Sequence, residues 1–415
     1  MTPPDGATPE ARPNAFAHRP FRLFWTARLC ATLGLQMQVV AVGWHLYALT
    51  GSALALGLVG LAQFAPNAPL LLVSGTVADR FDRRAILRLC FLVEAAGMLA
   101  LALLALSGDA REWPVYAVVA ALGAAHAFVM PAAASLVPNL VPARDFPNAV
   151  ALNSSVFQGA SIAGPALGGL LYALGPAAVF GLCGALLLAA AALVAMVRVA
   201  PRTVERRAAT LSELVAGIAF VRSKPAVLGA ISLDMMAVLL GGATALLPIV
   251  AAEVLLAGPL MLGLLRSAPA VGALAVGLWL ARNPIRRGAG RAMFAAVAAF
   301  GAATIAFGLS TEIWVSLLAL TALGAADMVS VVIRQTLVQL ATPDAMRGRV
   351  AAVNALFIGT SNQLGEFESG VTAALWGAVP AIVVGGLGTL AVAAAWMWMF
   401  PSLRRIDRLE AEELA

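Results

Sequence analysis

Apolar residues fill this chain in long runs, and charged residues gather in the gaps between them. Twelve such runs can be counted, roughly 21–49, 53–78, 85–107, 114–138, 148–173, 176–199, 226–254, 260–281, 291–309, 312–340, 349–375 and 378–400. At about 1.5 Å rise per residue, about 20 residues cross a hydrocarbon core of about 30 Å. The pattern predicts an all-α integral membrane protein of twelve transmembrane helices. The longest charged gap, 200–225, falls near the middle, so the expected organisation is an N-terminal tail (1–20), a six-helix bundle (21–199), a linker (200–225), a second six-helix bundle (226–400) and a C-terminal tail (401–415). Within the linker, Leu211, Leu214, Ile218 and Val221 recur at helical spacing, which suits a helix on the membrane surface or a solvated one.

Charge fixes the orientation. Arginines crowd the gaps after runs two, six, eight and ten and both ends of the chain, whereas Arg111 stands alone in the loops of the opposite side. The positive-inside rule therefore predicts two cytoplasmic termini. Composition agrees: 61% hydrophobic and 12% charged residues, with a mean hydropathy of +0.90, exclude an ordinary soluble globule. The net charge of +6 is spread through short gaps without interleaved aromatics, so it does not read as a nucleic-acid face. Cys30, Cys90 and Cys183 lie inside apolar runs without metal-ligand spacing, and neither a metal site nor a cofactor is expected.

The halves echo each other at an offset of 201 residues: Gly123 falls on Gly324, Pro142 on Pro343, Asn153 on Asn354, Gly164 on Gly365 and Gly169 on Gly370. Parallel repeats of this kind suit a secondary transporter with a midplane site between its halves.

Between runs two and three, Gly75 to Arg84 reads GTVADRFDRR. Gly75 permits close approach or a turn, Asp79 can accept bonds from a neighbouring helix start, and Arg80, Arg83 and Arg84 suit an anionic headgroup layer. This stretch resembles the signature loop of the major facilitator superfamily, with Val77 for its Leu and Asp82 for its second Gly. The resemblance spans about 21–400 and implies two bundles related by a pseudo-two-fold repeat, rocking about a central cavity, with the loop as a cytoplasmic latch. Run five carries Gly164, Pro165, Gly168 and Gly169, small residues that allow close helix packing around a proline kink. It resembles the exporter-type motif of that superfamily, which the family associates with proton antiport. Segments after runs four and ten, and AlaProAlaValGlyAla in run eight, are similar to the branch of bacterial enterobactin exporters and macrolide efflux proteins.

Ionisable groups within spans are costly and are functional candidates. Asp327 and Arg334 lie two turns apart on one face of run ten, so Asp327 is a candidate for proton exchange and Arg334 for a counter-charge or substrate anchor. Asp234 and Arg28 fall at about the depth of Arg334, which allows a three-membered network across the halves. Glu366 and Glu368 point about 200° apart on run eleven, so one is expected to face the cavity, with Glu366 preferred. Glu94 reads as structural. Gln36, Gln63, Asn67, Asn153, Gln158, Asn362, Gln363 and His126 are candidates for cavity polarity, although a lone His in a span is more often a packed one.

The resulting expectation is no enzyme but a secondary active transporter in a bacterial inner membrane, a monomer by resemblance, among membrane lipid. It would export a bulky amphipathic small molecule against inward-moving protons. The alternatives are a lysophospholipid flippase and a non-transporting receptor or scaffold on the same fold.

Overall fold

The computed structural model describes residues 14–108, 111–198, 211–343 and 346–409. Six long helices make the first half: α1 (Arg19–Thr50), α2 (Ala53–Arg80), α3 (Arg83–Ser107), α4 (Trp113–Leu136), α5 (Phe146–Tyr172) and α6 (Pro176–Met196). After α7 (Leu211–Ser223) come α8 (Pro225–Leu240), α9 (Leu247–Ile249), α10 (Pro259–Arg282), α11 (Ala289–Leu309), α12 (Ile313–Leu340), α13 (Arg347–Trp376), α14 (Ala378–Met399) and α15 (Pro401–Arg405). Among the described residues, ten helices are long and apolar enough to cross a membrane. Two more, α5 and α13, have the length at 27 and 30 residues but carry more polar positions. Both lie where the halves meet, and polar positions there avoid contact with lipid.

Local chemistry sets the turns. Ser52 caps α2 by accepting from the Ala55 N–H, and α1 stops at Gly51, whose φ of 57° only glycine adopts cheaply. Asp82, where the resembled loop has a second glycine, caps α3: its carboxylate accepts from the Arg84 backbone N–H at 2.9 Å, at a φ of −61° that needs no glycine. The Arg84 side chain folds back on the same carboxylate at 2.7 Å and holds it below the usual carboxylate range.

The seventh span is broken, contrary to the continuous run the pattern suggests. After Leu240 the chain passes Gly241 and Gly242, a 3-10 turn at Ala243–Leu246, α9 with Pro248, and a π-turn at Val250–Val254. Two glycines and a proline weaken the helix, and Gly242 lies where a Cβ would strike Gly365 and Ser369 of α13. A carbonyl released at this depth needs a donor, and Arg266 supplies one to Thr244 O at 3.1 Å. The linker helix is docked: Gly217 of α7 meets the backbone of Arg349 on α13, and Val221 is buried in the core of the second half. The linker positions 199–210 and the side chains of Leu211 and Leu214 lie outside the described residues.

Glycines bring the halves together at the face opposite the termini. A Cβ on Gly57 of α2 would sit 2.9 Å from Gly370 Cα of α13. Gly169 of α5 lies against Pro259, and Gly263 of α10 against the Pro165 carbonyl. Tyr47 of α1 donates to Glu253 of the broken span across the same seam. Farther along the same helices, toward the terminal face, a Cβ on Gly75, Gly159 or Gly359 would meet nothing within 4 Å. The halves are therefore sealed at one face and parted at the face that carries both termini.

At that parted face the segment before α1 is stapled to the α4–α5 connection. Asp145 accepts from His18 Nε2 at 2.7 Å and from Asn14 N–H at 3.2 Å, and Asn148 Oδ1 takes the Ala15 N–H. The His18 bond, aided by Asn14 and Arg144, holds the Asp145 carboxyl below its ordinary range. A depressed carboxyl stabilises the docked segment above the ordinary range, and that contribution is lost as pH falls through the lowered value. Limited proteolysis near residue 18 is expected to quicken on acidification, and Asp145→Ala to show the fast rate already at neutral pH.

Candidate functional site

A cavity of about 150 Å³ lies between the halves just inside the sealed face. Its walls are apolar, with Val40, Leu56 and Leu262 among them, and its polar groups are Gln38 and Gln63 from the first half and Arg266 and Glu366 from the second. Arg266 Nη2 lies 4.0 Å from Glu366 Oε1, each side chain about a quarter exposed at 25% and 27%. Because another Arg266 nitrogen is held by Thr244, the guanidinium ties the break of the seventh span to α13. Gly60 of α2 lets Glu366 come up against the first half, where a Cβ would lie 2.8 Å from its Cβ. Gln38 Oε1 is buried without a partner, an acceptor available to a molecule in the cavity; Gln363 Oε1 is likewise without a partner but is not part of the cavity lining. Glu368, on the other side of α13, bonds Thr372 at 2.8 Å and Ser369 on its own helix.

A second polar cluster lies within the C-terminal half. Arg334 Nη2 meets Asp234 Oδ2 at 3.1 Å, with side chains 3% and 8% exposed, and Arg334 Nη1 donates to Asn354 Oδ1 at 3.0 Å. Asp327 and Asp234 line a small void beside this pair together with Ser330. Asp234 thus holds the guanidinium in contact, and half-buried Asp327 stands beside the pair. Arg334 is closed in as the counter-charge of Asp234 and does not reach the cavity as an anchor.

Arg28 does not join them. The expected three-membered network rests on matching depth, but the side chain turns into its own half, buried at 8% exposure, where the charges acting on it are Glu94 and His126. Depth along a helix follows from sequence, whereas azimuth follows from packing: α1 lies against α5 and α6, and this face of it is turned from the second half.

Of the remaining candidates, Gln36 donates to Ser161 at 2.9 Å and Asn67 to Gly123 O at 3.0 Å, both bridging helices of the first half. Asn362 bonds Ile358 O of its own helix, Asn153 Oδ1 is buried without a partner, and Gln158 is half-buried. The small-residue motif works on both sides of α5: Gly164 and Gly168 lie against Gln36 and Met37 of α1, while Pro165 and Gly169 lie against α10. In the latch loop, Arg83 donates to Ala78 O and to Ser135 O at the end of α4, Arg84 also reaches Val197 O, and Arg80 is exposed. The side chain of Asp79 lies outside the described residues.

Arg266 and Gln38 are the cavity residues that sequence reasoning passes over. The rule that singles out Asp327, an ionisable group inside an apolar run, applies equally to Arg266. Gln38 has no signal beyond being two residues from Gln36.

The sequence profile of the transmembrane secretion effectors matches residues 12–414. The enterobactin exporter of Citrobacter koseri is 27% identical over 399 residues, covering 94% of this chain and 93% of that protein. In fold, the chain is similar to a bacterial homologue of the human lysosomal transporter Spinster in an inward-facing, occupied conformation, with a TM-score of 0.70, 15% identity, and 92% and 97% of the two chains covered. It is likewise similar to the xylose transporter XylE of E. coli in an inward-open conformation, with a TM-score of 0.68, 14% identity, and 97% and 99% covered. These likenesses establish a multi-pass membrane transporter rather than an enzyme, and the chain belongs to the transmembrane secretion effectors, in the exporter branch of the major facilitator superfamily.

Proposed function

We propose that this transporter carries a bulky amphipathic small molecule, of siderophore or drug type, outward across a bacterial inner membrane in exchange for protons. The observation that carries the reading is the cavity between the halves, apolar in its walls and polar at Arg266, Glu366, Gln38 and Gln63, lying behind the face where glycines bring the halves together. An amphipathic molecule buries its apolar body against Val40, Leu56 and Leu262 while its polar groups meet the amides and the ion pair. The similarity to enterobactin exporters supports the cargo class, and the arginines of the terminal face support placing that face in the cytoplasm.

Proton exchange is assigned to Asp234, Asp327 and Arg334, with Glu366 as the acid that senses cargo. Buried Asp234 takes Arg334 in contact, which leaves half-buried Asp327 beside them without a counter-ion in contact, and a proton resolves the imbalance in the dry state. Rocking the halves would wet the cluster from one side and then the other. The molecule acts as a monomer among lipid.

The test is uptake by purified protein in proteoliposomes under an imposed pH gradient, with enterobactin and a macrolide panel as probes. Accumulation that requires the gradient is expected for at least one probe. Transport at equal rates with and without the gradient overturns antiport in favour of facilitated passage.

A further inference from the structure

The N-terminal half holds a buried charged group that the exchange above does not use. Glu94 of α3 is 0% exposed, and both of its carboxyl oxygens are without a hydrogen-bond partner. Arg28 of α1, 8% exposed, has its Nε in the same condition, and the two act on each other electrostatically. By rise per residue, Arg28, Glu94 and His126 all lie about 14–17 Å from the terminal-face ends of their helices. His126 is exposed, on the face of α4 that carries Val119 two turns away, and Val119 lines the central cavity. An imidazole on the cavity-side face of α4 thus acts on the buried guanidinium, which in turn acts on the buried carboxyl.

Among the described residues, the other helix packed closely on α3 brings no charge to the site. Helix α6, which packs against α3, carries no charged or imidazole side chain and only Cys183 among titratable groups. On α3 itself the neighbour is Cys90, one turn away. A carboxylate wholly removed from water with neither oxygen bonded is too costly to keep as a permanent anion, and a lone arginine beside it is too costly once that carboxyl is permanently neutral. Alternation between the two forms relieves each cost in turn. The repeat adds an independent observation: at the offset of 201, His126 falls on Asp327, and Asn153, whose Oδ1 is buried without a partner, falls on Asn354, which holds Arg334.

We infer that Glu94, buried and unpartnered beside the charge of Arg28, is a second proton-binding site with His126 as its route to the cavity, so that each half of the transporter carries one exchangeable proton. The inference rests on the antiport reading, in which the first proton belongs to the Asp327 cluster. The step is a protonation: His126 takes a proton from cavity water and passes it on, the Glu94 carboxylate becomes a carboxylic acid, and Arg28 is left as the charge that favours its release. Two protons per cycle would let a given pH gradient sustain the square of the cargo gradient that one proton sustains.

The experiment needs no cargo. Purified protein in weakly buffered detergent is acidified from about pH 10 to about pH 5, a window wide enough to take an imidazole and a buried carboxyl through their whole titrations, and bound protons are counted with a pH electrode. Relative to the wild type, Glu94→Gln and Asp327→Asn should each bind about one proton fewer and the double variant about two fewer. Glu94→Gln binding as many protons as the wild type overturns the second site. Asp327→Asn binding as many while Glu94→Gln loses one leaves this site standing and removes the antiport assignment on which its role rests. Should Glu94→Gln fail to fold, His126→Gln carries the test by stopped-flow: proton uptake slowed about tenfold supports the route, and an unchanged rate contradicts it.

Discussion

Replacing Asp234 with alanine is expected to lower the stability of the protein by about 3–5 kcal/mol, because it removes the carboxylate in contact with the buried Arg334 guanidinium and leaves no close partner in its place. The pair is close at 3.1 Å and nearly dry at 3% and 8% exposure, and the Asn354 amide satisfies only one further Arg334 nitrogen. The cost is therefore that of an orphaned charge and not the modest worth of the intact pair. Two controls separate these effects. Asp234→Ala combined with Arg334→Leu removes both charges and should recover most of the loss, since an apolar pair of similar volume is tolerated where a broken ion pair is not. Loss of the exposed Arg84–Asp82 pair, whose side chains are 35% and 48% exposed, should cost about 1 kcal/mol, mostly through the cap that Asp82 provides. Thermal unfolding in detergent, followed by intrinsic fluorescence, checks all three.

The second large effect falls on transport and not on folding. Arg266→Ala should reduce transport about 100-fold, the equivalent of about 2.7 kcal/mol, while costing the fold only about 1 kcal/mol for the lost bond to Thr244 O, which cavity water can replace in part. The Arg266–Glu366 contact is loose at 4.0 Å and a quarter exposed, so as an ion pair it contributes little to stability. Its consequence is positional: one guanidinium nitrogen holds Thr244 O at the break of the seventh span while another faces Glu366 across the cavity. Arg266→Lys should restore little, because a single ammonium cannot serve a carbonyl and a carboxylate in two directions as a planar fork does. Equal losses of midpoint and transport in Arg266→Ala would mean that the residue supports the fold and not the cargo path.

The features legible in the sequence are those carried by one helix at a time. Apolar length gives the spans, the 201-residue offset gives the repeat, and the opposed directions of Glu366 and Glu368 follow from the helical period, with Glu366 lining the cavity and Glu368 bonded to Thr372. Features set by how helices turn toward one another are not legible. Arg28 lies at the depth of Asp234 but on another azimuth, beside Glu94. Gly241 and Gly242 read as small residues in an apolar run until Gly365 of α13 arrives against them. Asp82 departs from the signature that Gly75–Arg84 resembles, and only its N-cap geometry shows why α3 accepts it. Ile218 and Val221 suit a surface helix, and it is Gly217 against Arg349 that docks α7 on the second half.

The measurement that most directly tests proton exchange at Asp327 compares accumulation with counterflow in proteoliposomes of Asp327→Asn. Accumulation draws on the proton gradient, whereas counterflow exchanges labelled for unlabelled cargo without it. The account predicts that Asp327→Asn abolishes gradient-driven accumulation and keeps counterflow within about twofold of the wild type, since cargo meets Arg266 and Glu366 and not Asp327. Accumulation at the wild-type level in that variant, or loss of counterflow along with it, would contradict the account.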